Sequence, residues 1–293
     1  MRRFLLLLAA FPLVLSAQSF PSLDKTIQLA KERALRSSNV DWPTVESEAH
    51  STAIKEGEDA AIRRVVNALG DHHSSYIRSA PIAEPEGQVA GVSVLAINSW
   101  KGSADATQMA TKDVRSAVAN AVSNSQCGII LDFAQNSGGN MWPMLVGLSP
   151  LLTDGRLGGF RDSTGKTSLI EKKNGTIYVN GAPHPAGETI GVTADNALKA
   201  IAIVVGPSTS SSGEITPLMF KGQSNVRFFG QPTSGHSTAN STIALPNGGV
   251  LNLTTAVTVD RTGQAYDGKV TPDTLSDQPM TDAATWVISQ CRK

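Results

Sequence analysis

Apolar positions between residues 22 and 70 recur at helical spacing. The clearest stretch is GEDAAIRRVVNALGD, where Ile62, Val65, Val66 and Leu69 fall at i, i+3, i+4 and i+7. Gly70 supplies a stop. Upstream, Asp41 before Trp42 and Pro43 reads as a helix start, with Val45, Ala49 and Ala53 on one face. Residues 80–88, APIAEPEGQ, read as a polar Pro-containing connection and mark the expected domain boundary. Beyond it the period changes. VAGVSVLAI, CGIILDF and AIAIVVG are short continuous apolar runs rich in β-branched residues, the pattern of strands covered on both faces. The helical pattern DATQMATKDVRSAVANAVSNS separates the first two, which predicts a right-handed parallel crossover. In STIALPNGGVLNLTTAVTVD, alternating residues flank Asn247-Gly248, a hairpin signal. The expected architecture is an α/β core with a helical N-terminal unit and a β-hairpin appendage.

Composition narrows the function. The 293 residues suit one core plus a small satellite. Lys+Arg and Asp+Glu both number 25, so no basic field exists to gather phosphate backbones, and nucleic acid is not an expected partner. The start, MRRFLLLLAAFPLVLSAQS, places Arg2 and Arg3 before an apolar run and then small residues, the layout of a secretory signal peptide with cleavage expected after Ala17. The run is shorter than the roughly 20 apolar residues a span needs, and Pro12 interrupts it, so no membrane span is expected in the mature protein. Cys127 and Cys291 are too few for a zinc cluster. An oxidising compartment would let them pair, whereas CGIILDF equally suits a buried free thiol.

Two of the apolar runs end in loops that can carry chemistry, and parallel sheets gather functional groups at the carboxyl ends of their strands. The first, IILDFAQNSGGNMWPML, brings a Gly pair whose backbone N–H groups can approach a ligand and form an oxyanion hole, or simply make a tight turn. Met141 and Trp142 after it suit packing under that loop more than lining a pocket. The second, IAIVVGPSTSSSGEITPLMF, crowds Ser208, Ser210, Ser211 and Ser212 beside a helix start, where a hydroxyl can act as nucleophile or merely as a cap. That helix can begin at Ser212 or, capped by Thr216, at Pro217.

Together these loops resemble the tail-specific (C-terminal processing) and tricorn-core serine peptidases. The shared signature is Asp132, Asn136, Gly138 and Gly139, then Ser211, Glu214 and Ile215, in that order. GQPTSG at residues 230–235, the segment DRTGQAYDGKVTPD and the upstream LGDHHSSY extend the likeness over roughly residues 66–275. Two departures matter. The Lys that typical members carry 25 positions after the Ser is here His236, and too few residues follow Tyr76 for an inserted peptide-binding domain. In the second respect the chain is similar to the compact modules of interphotoreceptor retinoid-binding protein.

The resemblance implies a crotonase/ClpP-like core and a division into signal peptide 1–17, helical subdomain 18–85 and peptidase core 86–293. It also implies roles: Ser211 as nucleophile, His73 as general base, and the N–H groups of Gly138 and Ser212 as oxyanion hole. Asp267 would orient the His, with Asp71 and Glu214 as competitors. The expected function is an exported serine peptidase, periplasmic or secreted, acting on a peptide or protein through an acyl-enzyme without metal or organic cofactor. The alternative is a non-catalytic module binding a hydrophobic ligand or peptide on the same fold.

Overall fold

A computed structural model describes residues 19–34, 37–70, 76, 82–102, 106–125, 127–187, 198–244 and 250–291. The expected signal peptide, Asp71, His73 and the Asn247-Gly248 turn lie outside the described residues. By its contacts the chain divides into residues Met1–Arg78 and Ser79–Lys293.

The first unit holds three helices: α1 (Pro21–Arg33), α2 (Trp42–Glu56) and α3 (Glu58–Ala68). Its core is Leu23, Ile27, Ala49, Ala53, Ile62, Val65 and Leu69, which are the faces the helical spacing selects. Gly57, at φ 93°, breaks α2 from α3 in a conformation that side chains disfavour. Glu58 at the start of α3 accepts the N–H groups of Ser22 and Leu23 at 2.7 and 3.0 Å, satisfying orphan donors of α1.

The second unit runs β1 (Ala83–Val89), β2 (Val92–Ile97), α4 (Thr107–Ser123), β3 (Gly128–Asp132), α5 (Met141–Gly147), β4 (Gly155–Asp162), β5 (Thr167–Lys173), β6 (Thr176–Val179) and β7 (Ala182–Pro183). It continues through β8 (Ala200–Val205), α6 (Ser212–Leu218), β9 (Val226–Gly230), β10 (Thr238–Ala244), β11 (Val250–Asp260), β12 (Ala265–Tyr266), β13 (Thr274–Leu275) and α7 (Pro279–Cys291). One sheet has the order β1-β2-β3-β8-β9-β13 and is parallel from β2 onward. Its strands are continuously apolar because both faces are covered. Ile129, Leu131, Ile201 and Ile203 face the core that contains α4 and α5 residues, whereas Ile130, Ala200, Ala202 and Val204 face Ala283, Ala284 and Val287 of α7. The mixed α/β class expected from the pattern is the observed one.

Three expectations change. Residues 80–88 are not wholly a connection, since Ala83–Val89 is β1, antiparallel to β2 across a two-residue turn with Ala90 at φ 49° and Gly91 at φ 80°. Its mostly exposed side chains hid it, and Pro85 is tolerated because β1 is an edge strand with a bulge between Pro85 and Gly87. The hairpin β10–β11 is also no isolated appendage: it borders a seven-stranded antiparallel sheet of order β10-β11-β4-β5-β6-β7, with β12 on β11. The tight turns Asn174-Gly175 and Asn180-Gly181, all at positive φ, are the hairpin signals that betray this sheet. Finally, Cys127 is not a free thiol; it is bonded to Cys291, with Cα atoms 5.5 Å apart, so the end of α7 is pinned to the start of β3.

Candidate active site

Strands β3, β8 and β9 are parallel neighbours, so the loops leaving their carboxyl ends meet at one edge of the sheet. These loops are residues 133–140, 206–211 and 231–237. Asn136, fully buried, ties the first to its surroundings: its side chain donates to Ile97 O at 2.9 Å, and its carbonyl accepts Ser210 N–H at 2.9 Å. Thr209, also fully buried, donates through Oγ1 to Phe133 O at 2.8 Å and accepts Gly206 N–H at 2.9 Å. Ser234 N–H reaches Thr209 O at 3.0 Å, which joins the third loop to the second.

Ser211 is the N-cap of α6, at φ 53° and ψ −122°. The helix therefore starts at Ser212, and Pro217 lies inside it. A non-glycine residue in that backbone region costs on the order of 1–3 kcal/mol and persists only where neighbours over-determine it. Glu214, in the first turn of α6 and fully buried, supplies much of that constraint. Its Oε2 accepts Ser211 N–H at 2.9 Å and His236 N–H at 2.7 Å; its Oε1 accepts Gly235 N–H at 3.0 Å and the Thr233 hydroxyl. With its oxygens committed to this loop clasp, Glu214 is a structural strut rather than an acid presented to an imidazole.

The Gly pair packs on the nucleophile loop. A Cβ on Gly138 (φ 101°) would lie 2.8 Å from Ser211 Cβ and 2.9 Å from Ser210 O. Gly139 is wedged against Trp100, where a Cβ would meet Trp100 O at 2.0 Å, and Asn140 N–H donates to that same oxygen at 2.7 Å. Ser212 Oγ donates to Gly139 O, a further tie between the two loops. Of the two expected oxyanion donors, the Gly138 N–H is engaged by Asn136 Oδ1 at 2.9 Å. The Ser212 N–H sits at the first position of α6, where no carbonyl of its own helix can accept it.

Asp267 is exposed, in the turn after β12, and makes no side-chain hydrogen bond among the described residues. Its neighbour Gly268 accepts the Ser237 hydroxyl at 2.6 Å, so the turn borders the 231–237 loop. His236, exposed, does not point to Ser211: its Nδ1 lies 3.2 Å from Ser210 Oγ and 3.0 Å from Ser234 Oγ. Met141 is buried in the core as expected. Trp142 is half-buried and stacks on His184 with centroids 4.1 Å apart; burial pushes the His184 imidazole below its ordinary range, and its Nδ1 accepts Ala186 N–H at 3.2 Å. Nothing in the sequence pattern singled out His184, Trp100 or Thr209, because their partners lie far away along the chain.

A strand-end serine on a left-handed turn, set over a Gly pair at the edge of a parallel sheet, is the arrangement of a serine-nucleophile hydrolase. Residues 91–276 match the model of peptidase family S41, and the chain belongs to that family. It is 34% identical over 172 residues to a nisin-resistance protein of Lactococcus lactis subsp. lactis, a match covering 58% of this chain and 52% of that one. The chain thus spans about half the length of this curated relative. A lipoprotein structure from Streptococcus agalactiae superposes with a TM-score of 0.62 and 25% identity, covering 97% of this chain and 100% of that one. The photosystem II D1 C-terminal processing protease gives a TM-score of 0.45 at 20% identity, over 69% of this chain and 46% of that one.

Proposed function

We propose that the chain is an exported serine peptidase acting through an acyl-enzyme on Ser211. The observation that carries this reading is the Ser211 backbone, held at φ 53° between the first turn of α6 and Gly138. A position kept in a costly conformation by a buried carboxylate is hard to explain as a simple cap. Ser211 Oγ attacks the scissile carbonyl while its proton passes to a neutral imidazole, and the resulting oxyanion is held by backbone N–H donors including that of Ser212. Collapse expels the amine, which takes the proton back, and water then hydrolyses the ester by the same route. The motif match assigns the imidazole to His73, its orientation to Asp267 and a second oxyanion donor to Gly138, whose N–H must first leave Asn136 Oδ1.

A peptide or protein substrate follows from membership of a peptidase family. Likeness to a nisin-resistance protein and to a lipoprotein supports a place at the cell envelope or outside the cell, periplasmic or secreted, as does the signal-peptide layout. No helix among the described residues is long and apolar enough to cross a membrane.

The occupied Gly138 N–H favours a second reading, a non-catalytic peptide-binding module, because an oxyanion hole with one free donor is incomplete. A fluorophosphonate probe decides between them. Peptidase chemistry predicts an adduct on Ser211, located by mass spectrometry, that Ser211→Ala abolishes and His73→Ala slows at least about a hundredfold. Labelling should rise with pH through roughly 6 to 7 as the base loses its proton. Folded protein without an adduct on Ser211 would replace the peptidase by the binder.

A further inference from the structure

His236 occupies the place of the family's Lys, yet its imidazole is turned to Ser210 and Ser234 rather than to Ser211. It nevertheless holds the residue before the nucleophile and the nucleophile itself, by different atoms. Its N–H shares Glu214 Oε2 with the N–H of Ser211, at 2.7 and 2.9 Å. Its Nδ1 sits between two hydroxyls, one of which, Ser210 Oγ, lies on the residue that leads into the strained turn. The remaining restraints on Ser210 are backbone bonds, its N–H to Asn136 O and its carbonyl to Gly213 N–H, both at 2.9 Å. Only the imidazole grips the Ser210 side chain.

We propose that His236 is a positioning residue for Ser211: through the Nδ1–Ser210 contact it fixes the turn in which the nucleophile is presented. The inference rests on the reading of Ser211 as nucleophile. Hydroxyls donate and accept alike, so the contact persists whichever ring nitrogen carries the proton, and even when both do. His236 therefore acts through geometry and not through its charge state. Small displacements of a reacting group are costly in rate, which is why a contact one residue away matters.

The test uses the rate of fluorophosphonate labelling at Ser211 in the full chain, with the melting temperature followed alongside. His236→Ala should label roughly 10- to 100-fold more slowly, with unfolding little changed and the pH dependence of labelling keeping its form. Asn places a polar atom close to where Nδ1 stands, so His236→Asn should recover to within about threefold of wild type, whereas His236→Gln, whose amide reaches further, should not. Ser210→Ala should match His236→Ala, and the double variant should be no slower than either, since both remove one contact. An unchanged rate in His236→Ala overturns the positioning role. So does a His236→Ala protein that loses the pH dependence and is not recovered by Asn, because His236 would then be the base. Absence of any Ser211 adduct in wild type overturns this inference together with the nucleophile reading.

Discussion

Glu214 accepts the backbone N–H of Ser211 at 2.9 Å from three residues further along the chain, and it does so fully buried. The same oxygen takes the N–H of His236, and the other takes Gly235 N–H and the Thr233 hydroxyl. One carboxylate thus sets the nucleophile turn and anchors the loop beside it.

Glu214→Gln keeps the shape but turns an amide NH₂ toward donors. At least one buried N–H then loses its acceptor, with a penalty of about 1–3 kcal/mol for each group left unpaired. Urea unfolding should show a loss of roughly 2–4 kcal/mol, and labelling of Ser211 should fall with it. Unchanged stability would mean that the clasp does not constrain the loop.

Gly138→Ala is expected to separate activity from folding. The new methyl would meet Ser211 Cβ at 2.8 Å and sit at φ 101°, so the two loops must part. Gly139→Ala instead drives a methyl into Trp100 O at 2.0 Å, a collision of backbone with backbone. Labelling rates should collapse for Gly138→Ala while its melting temperature changes by only a few degrees. Gly139→Ala should lose the larger share of stability, and circular dichroism melts of the two proteins check the contrast.

The Cys127–Cys291 bond closes a loop across 164 positions and holds the end of α7 against the sheet. On the chain-entropy model such a closure stabilises by up to about 5 kcal/mol, and native bonds commonly deliver about 2–5. A double Cys→Ser variant should unfold at correspondingly lower denaturant. Thiol titration of denatured, unreduced protein should find no free cysteine; two free thiols would contradict the bond.

Asp132 ends β3 with its carboxyl half-buried. Burial pushes its titration up, only partly opposed by the Ala134 N–H that it accepts at 2.8 Å. Glu86 on β1 is raised as well, by burial and then by the charges of Asp132 and Glu84. A carboxyl raised in the folded state contributes stability that is present below its unfolded value, near pH 4, and is lost as pH rises through the folded one. Asp132→Asn retains an acceptor for Ala134 without the buried charge. Its melting temperature should exceed wild type at pH 7 and converge with it near pH 4; a gain that is the same at both values would refute the assignment.

Much of the fold was legible in the chain. The continuous apolar runs identified β2, β3 and β8, helical spacing identified α2 to α4, and the order of Asp132, Gly138, Gly139 and Ser211 marked the family and the candidate nucleophile. These signals are local: burial on two faces, helical period and loop chemistry each act within a few residues. Strand β1 was missed because its edge position leaves its side chains mostly in water, and the antiparallel sheet because its Asn-Gly turns join short strands of mixed polarity.

What the tertiary structure alone decided is which distant residues meet. Pairing of β3, β8 and β9 side by side brings residues 133–140, 206–211 and 231–237 to one edge, although β4 to β7 intervene between β3 and β8 in the chain. That pairing turned His236 toward Ser210, committed Glu214 to backbone donors and engaged the Gly138 N–H. A side chain's type is written in the sequence, but its hydrogen-bond partner is fixed by whichever donors and acceptors the packed strands leave within about 3 Å.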